Sequence, residues 1–140
     1  FLFHFLLTAR KMPFRLHEQK IIWQQSVMLK HADTWLWLVQ VVTAVVILIM
    51  GFIHMWEVLT NLPITADKSA ARIQSGFWLV FYLILLPLVE LHVSIGFYRI
   101  GVKWGFIKRC NRSQAKKLEK TLFCIFIIIG LITLLRFYFF

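Results

Sequence analysis

Two ionisable side chains, Glu90 and His92, stand near the middle of "LILLPLVELHVSIGFYRIGVKWG", residues 83–105, a run otherwise apolar enough to cross a bilayer. Polar groups at such depth are costly and mark sites of function. Two further histidines, His4 and His54, also lie in apolar runs, whereas His17 and His31 stand in a mixed, polar stretch and read as solvated. One intramembrane imidazole can serve as a hydrogen-bonded packing group. Three on separate runs ask for a shared task, and the tasks open to neutral imidazole are proton carriage and metal ligation.

Depth narrows the choice. His4 precedes Arg10 by six residues and His92 precedes Arg99 by seven, so each lies about 9 to 10 Å inside the same membrane boundary at ~1.5 Å per residue. Two imidazoles from different helices at one level are what a bis-histidine haem needs, one axial nitrogen on each side of the macrocycle. Helix bundles build such sites in their interiors. His54 stands 21 residues past Asp33, about 32 Å from that boundary and so near the opposite face. Its partner is expected outside this chain.

The elements that must position these residues follow from composition. Of 140 residues, 60% are hydrophobic, and the mean hydropathy is +0.75, values that point to a membrane protein. About 20 apolar residues cross ~30 Å of hydrocarbon, which predicts spans over 35–58, 76–98 and 121–140. Residues 1–9, "FLFHFLLTA", are as apolar but too short to cross, and no Met or basic segment precedes them. They read as the end of a helix that begins upstream, and the chain as a fragment. The expected fold class is all-α, a transmembrane helical bundle with the end of one helix and three full spans in a single membrane domain.

Charge orients the spans. Thirteen basic residues fall in the segments 10–33 and 99–120, and two, Lys68 and Arg72, in the loop between the first and second spans. Three spans put the thirteen on one side, which the positive-inside rule makes cytoplasmic. The net charge of +10 is thereby a topology signal, supplemented by attraction to anionic lipid or an acidic partner. Nucleic-acid binding would want stacking aromatics among solvent-facing cations, and here the aromatics sit in the spans. Cys110 and Cys124 form no C-x-x-C or C-x-x-C-H pattern, which excludes zinc, redox-pair and covalent haem readings.

Finer features attach to this frame. Asp33 or Thr34 is expected to cap the first span, Pro87 to bend the second, and 60–76 to form a loop turning at Asn61 and Pro63. Gly96, Gly51 and Thr8 each lie one turn from His92, His54 and His4, which gives room for a flat cofactor or for close helix packing. Haem propionates would need cations, and Arg10, Lys11 and Lys103 stand at the cytoplasmic level, with Arg72 near the level of His54. Glu90 is about 200° round the helix from His92 and reads as a proton-handling group. Glu57, one turn past His54, is placed to accept a proton beside a quinol.

The segment "VELHVSIGFYRIGVKWG" resembles the fourth of five helices in the dihaem cytochrome b subunit of bacterial quinol:fumarate reductases, of the succinate:quinone oxidoreductase family. "HFLLTARKMP", "KHADTWLWLVQ", "GFIH" and "SAARIQSGFW" match the same subunit in order. The resemblance covers essentially the whole chain and implies that the first helix and most of the second are absent from it. It implies two haem b groups: His4 and His92 ligating the iron of the proximal one, and His54 one ligand of the distal one. It further implies propionate contacts at Arg72 and Lys103, a proton-transfer role for Glu90, and menaquinone or menaquinol as substrate. The implied partners are an iron-sulfur subunit and a flavoprotein subunit on the cytoplasmic face of the bacterial inner membrane. Phe52 departs from the pattern, standing where a small polar residue is expected near the haem.

Two other readings stay open on the residues. One is a b-type cytochrome subunit of another quinone-linked enzyme, a hydrogenase or formate dehydrogenase. The other is a haem-free transporter in which Glu90, His92 and His4 relay protons, although the chain has no inverted repeat.

Overall fold

The computed structural model describes residues 2–10 and 12–139. Lys11, one of the cations considered for the cytoplasmic level, lies outside them, as do the end residues Phe1 and Phe140. All regular structure among the described residues is helical: α1 Leu2–Ala9, α2 Leu16–Leu29, α3 Ala32–Thr60, α4 Ala66–Gln74, α5 Phe77–Lys103 and α6 Arg112–Phe139, with a 3-10 turn at Arg109–Asn111. Helices α3, α5 and α6 are long and apolar enough to cross a membrane. They leave many large apolar side chains exposed, among them Ile49, Ile84, Ile128 and Ile132. Lipid is as apolar as leucine, so nothing drives those side chains inward.

The chain forms two compact units, Phe1–Val41 and Val42–Phe140, that divide within α3. In the first, α2 closes on Lys30, whose left-handed backbone (φ 48°) turns its N–H onto the Ser26 carbonyl. Ser26 is fully buried and donates its hydroxyl to Ile22 O at 2.7 Å. Trp23 meets Trp35 edge-on, with ring centroids 5.7 Å apart, linking α2 to the start of α3. The N-terminal cap of α3 is neither Asp33 nor Thr34. It is His31, whose Nδ1 accepts from Asp33 N–H at 3.3 Å, because α3 already begins at Ala32. Any side-chain acceptor aimed at the first free N–H groups meets the need.

In the second unit α5 packs along α6, and α4 packs against both. The expected loop over 60–76 contains α4. Thr65 caps it, accepting from Lys68 N–H, with Asp67 in its first turn and Arg72 in its last. Ile73 is buried, and its neighbour Gln74 donates to the Phe137 and Tyr138 carbonyls at the end of α6. Gly76, at φ +82°, then turns the chain into α5, in a conformation that strains any residue with a Cβ. Pro87 lies inside α5 without ending it. Helix α6 starts at Arg112, nine residues before the apolar run, because "RSQAKKLEK" consists mostly of good helix formers.

The α5–α6 contact turns on Gly130. A Cβ there would come within 2.6 Å of both Leu86 methyl carbons. Gly130→Val should therefore cost about 1–3 kcal/mol by overpacking, seen as a lower thermal midpoint of the detergent-solubilised protein. An unchanged midpoint would show that Leu86 yields freely.

Candidate functional site

Helices α3 and α5 each carry one histidine and one hydroxyl that meet across the gap between them. Thr43, 3% exposed, brings its Oγ1 to 3.1 Å from His92 Nδ1. At the other level Tyr82 brings its hydroxyl to 3.1 Å from His54 Nδ1, with the two rings edge to face. The order reverses from one helix to the other, so the pair runs antiparallel. Thr43 and His54 are eleven residues apart on α3, and Tyr82 and His92 are ten apart on α5. Both spacings place the two levels about 15 Å apart along the axis.

A polar cluster surrounds the His54 level. Arg72 Nε on α4 lies 3.2 Å from Glu57 Oε1 on α3, with the two side chains only 14% and 27% exposed. Asn61 Nδ2 donates to the same Oε1 and to the Glu57 carbonyl, both at 2.9 Å. The Arg72 guanidinium also stands over the Trp78 ring, 5.9 Å from its centroid. Between these groups opens a cavity of about 260 Å³, lined by His54, Val58, Ser69, Arg72, Tyr82 and Leu134. Arg72 and His54 thus line one cavity. Glu57, read there as a proton acceptor, is the ion-pair partner of Arg72.

Glu90 is half-buried on α5, and no hydrogen bond or ion pair reaches its carboxyl among the described residues. Lys103 is the exposed last residue of α5. His4 stands exposed on α1 in the first unit, with Thr8 Oγ1 donating to its carbonyl at 2.9 Å.

The donor set fits an iron held in a macrocycle. With Nδ1 of His92 and of His54 set against a hydroxyl, Nε2 is the nitrogen that a metal would use, and ligating histidines commonly donate their other N–H in this way. A bare ion needs several protein ligands, and no group of three His, Cys, Asp or Glu gathers among the described residues. Haem iron needs one or two. Thr43 and Tyr82 were not foreseen from the sequence. The signal that could have found Thr43 is its three-turn spacing from His54 on α3.

A family model described as succinate dehydrogenase/fumarate reductase transmembrane subunit matches residues 15–133. The chain belongs to that family. Among curated relatives of this transmembrane subunit, the fumarate reductase cytochrome b subunit of Helicobacter pylori strain J99 is 35% identical over 132 residues, 93% of this chain and 51% of that protein. That of strain 26695 is equally similar. The fumarate reductase cytochrome b subunit of Wolinella succinogenes is 32% identical over 139 residues, 95% of this chain and 54% of that one. The chain spans about half the length of the curated relatives it matches.

Proposed function

We propose that this transmembrane subunit is the dihaem b membrane anchor of a quinol:fumarate reductase or succinate dehydrogenase. It would pass electrons between menaquinol and an iron-sulfur and flavoprotein pair on the cytoplasmic face. The observation that carries this reading is the pair of imidazoles, His92 and His54, each with Nδ1 against a hydroxyl of the facing helix at levels about 15 Å apart. The relatives' name, fumarate reductase cytochrome b subunit, supports the same assignment.

Bound haem would supply reversible one-electron carriage. The chain's own residues divide the remaining work. His4 and His92 would hold the proximal iron and His54 the distal one, with the second distal ligand outside this chain. Arg72, anchored by Glu57, and Lys103, at the end of α5, would receive propionates. Glu90, without a hydrogen-bond partner among the described residues, would exchange a proton with water or a neighbouring helix. The basic segments 10–33 and 99–120 would lie on the cytoplasmic side of a bacterial inner membrane, the second of them towards the iron-sulfur subunit. The same chain serves either direction of electron flow.

A reduced-minus-oxidised spectrum of the full-length protein, with haem quantified per chain, tests this. Two b-type haems and co-purification of an iron-sulfur and a flavoprotein subunit are expected. Absence of a b-type signal would overturn the reading in favour of a haem-free proton relay, and different soluble partners would move it to another quinone-linked enzyme.

A further inference from the structure

We infer that Thr43 and Tyr82 are positioning residues, each fixing the ring of the histidine opposite it for axial ligation: Thr43 for His92 and Tyr82 for His54. The inference rests on the haem reading above and adds to it two residues that act through the histidines they face. The juxtaposition is specific. Each helix supplies one histidine and one hydroxyl, and each hydroxyl lies 3.1 Å from an Nδ1 on the other helix.

The physical argument begins with the torsion about the histidine Cβ–Cγ bond, which is broad and leaves the ring plane loosely set. An acceptor at Nδ1 sets both the plane and the tautomer. If Nδ1–H donates to the hydroxyl oxygen, Nε2 carries the lone pair that iron requires, and the ring becomes a stronger donor. A helical threonine can accept in this way while its own proton goes elsewhere. Thr60, Thr121 and Thr133 each donate to a carbonyl one turn back, which leaves oxygen lone pairs facing outward. Thr43 is almost wholly buried, so water cannot stand in for it.

A stronger donor favours ferric over ferrous iron, so loss of the acceptor should raise the midpoint potential of the haem concerned. In the complete detergent-solubilised complex, Thr43→Val should shift the oxidised-to-reduced ratio of the haem held by His92 about tenfold towards reduced, ~59 mV for one electron. The other haem should stay in place. Tyr82→Phe should do the converse. Redox titration of the α-bands and the low-spin ferric resonance read both effects, and Thr43→Ser should restore the wild-type values.

Valine keeps the packing volume, so haem loss in Thr43→Val with retention in Thr43→Ser also counts for the inference. Two haems in the wild type, with potentials and resonances unmoved in both Thr43→Val and Tyr82→Phe, would overturn the inference and leave the haem reading standing. A wild type without b-type haem would overturn both.

Discussion

Replacing His92 by alanine should remove one of two b-type haems, and replacing His54 by alanine should remove the other. Alanine leaves no nitrogen at either level, and among the described residues no group of histidine, cysteine or carboxylate side chains stands in reserve. Loss of outer contacts alone typically costs about 10–100-fold in metal affinity, so loss of the ligand should cost at least ~100-fold. Each variant should keep about half the reduced α-band and lose quinol-dependent electron transfer to the soluble subunits. Haem quantification together with the band position distinguishes them. If both variants lost the same haem, the division into two levels would be wrong. If both kept full haem, neither histidine would be a ligand.

Arg72 offers the second large effect. Its guanidinium pairs with Glu57 at 3.2 Å and stands over Trp78, and Asn61 supports the carboxylate from the other side. Arg72→Met should lower the midpoint potential of the haem held by His54, because a nearby positive charge favours the reduced form. Glu57→Gln should raise it. Shifts of about 60 mV correspond to ~1.4 kcal/mol, a reasonable size for one charge in a half-buried site. Opposite signs in the two variants are the expected redox-titration result. Shifts of the same sign would mean that the pair acts through folding. Arg72→Met should also be the more destabilising change, because it leaves Glu57 with only Asn61 as partner and removes a packed ring contact.

Long apolar runs made the three spanning helices legible, and the spacing of histidines from flanking charges singled out, among others, His92 and His54, each of which faces a hydroxyl of another helix. What escaped has a physical pattern. Helix α4 is short and polar, so its signals lay in Thr65, Asp67 and the sequence around Ala70, which hydropathy does not weigh. Helix α6 runs into its polar flank for the same reason. His31 as a cap depends on one ring torsion, and ring torsions are not written in spacing. Thr43 escaped because a threonine hydroxyl in an apolar run ordinarily bonds its own helix, and Tyr82 because a tyrosine in a span reads first as an interfacial aromatic. Only the relation of α3 to α5 gives these two a different partner.

The reversed pairing of Thr43 with His92 and His54 with Tyr82 bears on how the chain settles in the bilayer during its biogenesis. Interhelical hydrogen bonds in membranes are worth about 0.6 kcal/mol on average, so the two together cannot override the loop charges that govern which way a helix is threaded. They can help set how far α3 slides along α5. Displacing it by one turn, about 5.4 Å, would carry both hydroxyls out of reach at once, whereas lipid-facing leucines and isoleucines tolerate such a slide almost without cost. Charge would select the sidedness, and two weak bonds, acting as a pair of index pins, would select the vertical register.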